Sequence, residues 1–232
     1  MIKSSLATLS GVAALAIGAG LVLQPASAES MKRVPAPAAD ESAAAVKSET
    51  AVFAGGCFWG VQGVFQHVKG VTSAVSGYSG GKSTTASYED VSTGSTGHAE
   101  SVKVTYDPSQ VTYGKLLQIY FSVVTDPTTL NAQGPDSGTQ YRSDLFATNP
   151  EQAKVAKAYI AQLGGSHAFA APIVTRVSTF KNFYPAEGYH QNYLTLHPDD
   201  GYIAYNDMPK VEGLKKLFPN DYAPSPVLAS AN

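Results

Sequence analysis

One cysteine, Cys57, stands in Gly55-Gly56-Cys57-Phe58-Trp59-Gly60, between the short apolar run Thr50 to Ala54 and a stretch of helical period. A thiol at that junction is placed for nucleophilic chemistry. The two glycines allow a sharp turn and a close approach of backbone to a ligand. A cysteine at a helix start faces unpaired N–H groups and the positive end of the dipole, so the expectation is a thiolate. Free cysteines are more often small buried hydrophobes. A core cysteine, however, needs neither a double-glycine turn nor the chain's one tryptophan two residues on.

A second group with chemistry is Glu100. In Glu100-Ser101-Val102-Lys103-Val104-Thr105-Tyr106 the apolar residues share parity with Glu100, so strand pleat points all four to one face. A carboxyl buried there without a cation is pushed toward its neutral form, a ready general acid. Were the strand to end at Glu100, the carboxyl would instead sit solvated at a rim. Tyr78 and Tyr141 fall where strands meet loops, and His190 sits in Glu187-Gly188-Tyr189-His190-Gln191 as a base, a donor or a surface histidine. His67, His167 and His197 show no metal-ligand spacing, and no metal is expected.

The elements that must position these groups read as strand 51–54, helix 58–68, strand 71–77, a Gly/Ser/Thr loop 79–97 and strand 99–106. Helix 113–124, an irregular stretch 125–140 and strand 141–147 follow. Asn149 and Pro150 open a helix ending at Gly164-Gly165, and a strand 172–180 and short helix 187–196 complete the reading. Strand, helix, strand, strand, helix, strand is the order of a ferredoxin-like split βαβ core, so the fold class is α+β, a two-layer sandwich with long irregular loops and a C-terminal extension. A doubly wound parallel sheet fits less well, because no helix separates strands 71–77 and 99–106.

Residues 1–28 read as a signal peptide: Lys3, the apolar run Gly11 to Leu23, then Ala26-Ser27-Ala28. The implied localisation is export, periplasmic or secreted, with cleavage near Ala28. Residues 29–49 read as a flexible Ala/Pro-rich linker, 50–217 as a single catalytic domain and 218–232 as a frayed tail. The 16 basic and 18 acidic residues leave a net charge of −2, which speaks against a nucleic-acid partner. A lone cysteine makes no internal disulfide, so stability rests on an ordinary core.

Gly55-Gly56-Cys57-Phe58-Trp59-Gly60, Gly77-Tyr78-Ser79-Gly80-Gly81, Gly97-His98-Ala99-Glu100, Asp126-Pro127-Thr128, Gly138-Thr139-Gln140-Tyr141-Arg142-Ser143 and Tyr189-His190-Gln191 occur in the order seen in A-type peptide methionine sulfoxide reductases. From about Val52 to Leu196 the chain closely resembles that family, whose members reverse methionine oxidation, one enzyme per sulfoxide epimer. The resemblance implies reduction of methionine S-sulfoxide, free or in proteins. It makes Cys57 the nucleophile, left as sulfenic acid, and Glu100 the acid toward the sulfoxide oxygen, with Tyr78 and Tyr141 as phenolic donors. Asp136 becomes a site residue bonded to the tyrosines, Phe58 and Trp59 walls for the substrate methyl group, and His190 a further substrate-binding residue.

Many relatives carry extra cysteines, often toward the C-terminus, that resolve the sulfenic acid; this chain has none. The reductant must then be external, a thioredoxin-like or glutaredoxin-like protein or a small thiol, with no bound cofactor. The chain is expected to be a monomer. Ala132 stands where many relatives have Arg, and Ser137 replaces a commoner aliphatic. Two other readings compete: a cysteine hydrolase pairing Cys57 with His190, and a binding module without turnover.

Overall fold

The structure, a computed structural model, describes Met1 and residues 31–41 and 46–230. The signal-peptide reading falls on residues outside those described. Six strands form one sheet in the order β7-β6-β1-β3-β2-β8. They are β1 (Glu49–Gly55), β2 (Val71–Ser79), β3 (Ala99–Tyr106), β6 (Ser143–Ala147), β7 (Arg176–Thr179) and β8 (Phe183–Pro185), while β4 (Ala132–Gln133) and β5 (Asp136–Ser137) make a separate small ladder. The helices are α1 (Phe58–Gln66), α2 (Tyr88–Ser92), α3 (Tyr113–Ile119), α4 (Pro150–Gly165), α5 (Tyr193–Leu196) and α6 (Met208–Leu217).

The centre of the sheet, β6-β1-β3-β2, is antiparallel throughout, as the split βαβ arrangement requires. Onto this frame β7 adds in parallel beside β6, and β8 antiparallel beside β2. Strand alternation divides β1 between two cores. Ala51 and Phe53 join the main core with α1 and α3, and Val52 and Ala54 join a smaller cluster with Ala99 and Phe146 on the other face.

Several boundaries differ from the sequence reading, each for a local reason. The loop 79–97 folds α2, capped by Ser87, whose hydroxyl accepts the Asp90 N–H at 3.3 Å. Strand 172–180 is shorter, and Phe183–Pro185 forms β8 instead. Helix 187–196 is broken by Asn192 in the left-handed region (φ 60°). Helix α6 was not anticipated, although Pro209 in its first turn, the spacing of Val211 and Leu214, and Lys215 and Lys216 in its last turn mark it.

The segments read as a flexible linker and a frayed tail are both packed where they are described. Val34 is buried, its N–H bonded to Ser122 Oγ at 3.1 Å and its carbonyl to Gln118 Nε2 at 2.9 Å, and Asp40 accepts the Gly114 N–H at 2.8 Å. The tail runs back over α1. Ala223 and Val227 donate to the carbonyls of His67 and Gln66, and Ala229 exchanges two hydrogen bonds with the Asn192 amide at 2.8 and 3.0 Å. These backbone groups are satisfied by protein, which opposes fraying. Removing residues 223–232 breaks these bonds and leaves the buried Gln66 and Asn192 underbonded. At about 1 kcal/mol per bond, we expect a loss of roughly 2–4 kcal/mol in a denaturant melt; an unchanged midpoint would show the tail to be ornamental.

Candidate active site

Cys57 is the N-cap of α1, with the sulfur at the end of the turn made by Gly55 and Gly56. Gly56 has φ +99°, and a Cβ there would lie 2.7 Å from Gln133 Cβ, so only glycine fits. Gln133 in turn holds the loop 126–133, accepting the Asp126 N–H at 2.9 Å and donating to the Asp126 carbonyl at 2.7 Å and Thr129 Oγ1 at 2.8 Å. Cys57 is buried, 8 % exposed as a residue.

Glu100 lies on the face of β3 that meets α1, 3 % exposed, and its Oε2 accepts the Phe58 backbone N–H at 2.9 Å. That N–H is one of the unpaired donors of the α1 N-terminus, so the helix start carries the thiol and anchors the acid together. Burial pushes the Glu100 carboxyl up to about 8, the Phe58 hydrogen bond opposes this, and the charges of Asp136 and Asp207 add to it. At neutral pH it therefore holds its proton.

The expectation of a resting thiolate does not hold. Burial drives the Cys57 thiol well above its ordinary range, and the carboxylates of Glu100 and Asp207 drive it further. The Trp59 N–H and Lys210 pull the other way and lose. The helix terminus is real, but desolvation of a buried anion outweighs it, and once Glu100 ionises its charge adds to that of Asp207. The site rests as a neutral thiol beside a neutral acid.

Three phenols require sorting. Tyr78 pairs with Glu100 across the β2–β3 ladder, yet its hydroxyl donates to Glu187 Oε2 at 2.8 Å, which removes it from the role of donor toward a substrate oxygen. Tyr88, on α2, packs its ring 4.4 Å from that of His190; burial raises its pKa, followed by the charge of Glu100, and the Cys57 charge contributes as well. Tyr141, in a 3₁₀ turn before β6, is raised by burial and then by Glu100, Asp136 and Cys57. Tyr88 and Tyr141 are thus the phenols that share the field of the thiol and the acid. Tyr88 was missed because it lies in a Ser/Thr-rich loop; the Ser87-x-x-Asp90 capping pattern was the available signal.

Asp136 is half-buried and accepts a short hydrogen bond from Tyr202, not from Tyr78 or Tyr141. Tyr202 stands edge-on to the Trp59 ring, centroids 5.9 Å apart, and Tyr193 stacks on it at 3.9 Å. Trp59 donates its indole N–H to His190 Nδ1 at 3.1 Å. His190 is buried among Phe58, Tyr88 and Tyr189, so it fixes the tryptophan's orientation, and burial lowers its pKa. With Nδ1 occupied it is not poised as a base for Cys57, which counts against the hydrolase reading. Phe58 is 1 % exposed, its ring 5.9 Å from Tyr78 and 5.0 Å from His190.

Residues 49–222 match the family model for peptide methionine sulfoxide reductase. The chain belongs to this family. It is 65% identical over 185 residues to peptide methionine sulfoxide reductase MsrA 2 of Mesorhizobium japonicum, covering 80% of this chain and 95% of that one. The corresponding MsrA 2 of Synechocystis sp. is 50% identical over 190 residues, covering 81% and 89%. Among solved structures, Mxr1 from Saccharomyces cerevisiae in reduced form superposes with a TM-score of 0.61 at 35% identity, covering 69% of this chain and 91% of that one. In this peptide methionine sulfoxide reductase fold the groups converge from α1, β3, the α2 loop, the β4–β5 ladder and the turn before α6. No group of His, Cys, Asp and Glu able to hold a metal occurs among the described residues.

A cavity of about 710 Å³ opens elsewhere, on the sheet face that carries Phe146, lined by Gly80, Arg142, Asp144, Arg176 and Lys181 among others. None of the groups around Cys57 lines it. The cavity is therefore separate from the groups around Cys57.

The sorting of phenols makes a prediction. Tyr88→Phe should lower kcat/KM for methionine sulfoxide by about 10- to 10²-fold, the loss of one hydrogen bond of about 1.5–3 kcal/mol to a charged oxygen. Tyr78→Phe should lower stability through its lost Glu187 bond while leaving turnover within a few-fold. The reverse ranking in steady-state kinetics would return the donor role to Tyr78.

Proposed function

We propose that the protein reduces the S epimer of methionine sulfoxide, free or in proteins, and that Cys57 ends each reduction as a sulfenic acid. The observation that carries the reading is the neutral Glu100 carboxyl bonded to the Phe58 N–H beside the Cys57 thiol. A sulfoxide needs both an attacking sulfur and a proton for its oxygen.

The Cys57 sulfur bonds to the sulfoxide sulfur, and Glu100 gives its proton to the oxygen, aided by the phenols of Tyr88 and Tyr141. The thiol proton restores Glu100; the new sulfur–sulfur bond and the substrate's sulfur–oxygen bond then break as the protonated oxygen passes to the Cys57 sulfur, releasing methionine and leaving the sulfenic acid. Methionine gains two electrons and the thiol loses two. Phe58 and Trp59 supply an apolar wall for the S-methyl group, with sulfur–aromatic attraction. An external thiol then attacks the sulfenic sulfur, water leaves, and a second thiol cleaves the mixed disulfide. A thioredoxin-like or glutaredoxin-like protein or a small thiol suits this step, because the chain holds a single cysteine.

Export by the signal-like N-terminus, with work in the periplasm or outside the cell, and a monomeric state complete the proposal. The test is a single turnover. One equivalent of methionine S-sulfoxide without reductant should yield one equivalent of methionine and one oxygen on Cys57 by mass spectrometry. Binding without methionine release would mark a module that does not turn over, and no sulfoxide loss under any reductant would sink the reading.

A further inference from the structure

Asp207 is fully buried between the turn that carries Tyr202 and α6, and neither its burial nor its neighbours follow from the chemistry above. Lys210, one turn on, donates to its Oδ1 at 3.3 Å, while Oδ2 is buried with no hydrogen-bond partner among the described residues. The carboxyl lies against Gly60, the third residue of α1 and the last glycine of the Cys57 motif. A Cβ at position 60 would come within 2.6 Å of Asp207 Cγ and nearer still to Oδ1.

That contact explains a glycine the backbone does not require. Gly60 is an ordinary helical residue without a positive φ. Glycine inside a helix costs about 1 kcal/mol relative to alanine. What it permits is an acid group pressed onto the first turn behind the thiol.

We propose that Asp207, seated on Gly60 and held by Lys210, is a positioning residue for the reaction, fixing the first turn of α1 and the balance of charge that Cys57 and Glu100 meet. This rests on the reductase reading of the site. The titratable groups whose charges couple to Cys57 are Glu100 from β3, Tyr88 from α2, Tyr141 before β6, Tyr202, which donates to Asp136, and the Asp207–Lys210 pair. Asp207 pushes both Cys57 and Glu100 toward their protonated forms, and Lys210 pulls Cys57 the other way. The two members of the pair thus oppose each other across one hydrogen bond.

The experiment measures the rate of Cys57 alkylation by iodoacetamide against pH, which needs no sulfoxide turnover and so fails or succeeds apart from the reductase reading. Asp207→Asn keeps the shape and should move the midpoint down by about one pH unit, making alkylation at neutral pH about tenfold faster. Lys210→Met, at a partly exposed position, should move it up. Gly60→Ala should move it in the Asp207→Asn direction and lower stability, whereas helix propensity alone predicts a gain. Midpoints that stay put, or that shift the same way in Asp207→Asn and Lys210→Met, overturn the proposal. Should Asp207→Asn not fold, Lys210→Met decides alone, an upward shift supporting it and any other result refuting it.

Discussion

Glu100→Gln should reduce sulfoxide turnover by about 10²- to 10⁴-fold, the range for a lost general acid. The amide still accepts the Phe58 N–H, so the start of α1 stays in place and the loss falls on proton donation. The parent should also show a pH signature. With its carboxyl pushed up to about 8 by burial, Glu100 is a donor below that pH and is lost as pH rises through it. kcat/KM should therefore descend near pH 8 in the parent, and this limb should vanish in the variant. A variant with undiminished turnover, or a parent profile flat to pH 9, would take Glu100 out of the reaction.

The same substitution should raise stability. A carboxyl at its ordinary value of 4.5 in the unfolded chain and near 8 in the folded one binds more protons folded than unfolded between those values. Its contribution is fully present below pH 4.5 and is lost as pH rises toward 8. The difference between the two values corresponds to a cost on the order of 3–5 kcal/mol at pH 8. Glu100→Gln does not titrate, so it should exceed the parent in stability by that order at pH 8 and by far less at pH 4. Urea unfolding at the two pH values measures this, and equal differences at both would mean that Glu100 is not held neutral. The acid that drives the chemistry thus strains the fold, a common trade at active sites.

What could be read from the chain alone was local. Alternation along 100–106 points Glu100 inward because strand pleat is set by covalent geometry, and the Gly-Gly-Cys motif locates a turn and a helix start because glycine's conformational freedom is intrinsic. The core order of strands and helices followed from periodicity. The charge state of Cys57 was not legible, since it depends on Glu100 and Asp207, 43 and 150 positions away in sequence, and on how much water reaches the sulfur. The choice between Tyr78 and Tyr88 depended on Glu187, which claims the first hydroxyl from the other end of the domain. Tyr202 and Asp207 come from a segment where no element was recognised, and only packing against Trp59 and Gly60 gives them meaning.

The C-terminal segment that runs back over α1 has a kinetic corollary. It is fastened to Gln66 and His67 at the end of that helix opposite Cys57 and carries no thiol. Under the proposed mechanism, regeneration should be a collision with another molecule, with throughput climbing with the supply of electrons in the surroundings instead of levelling at the speed of a folded flap.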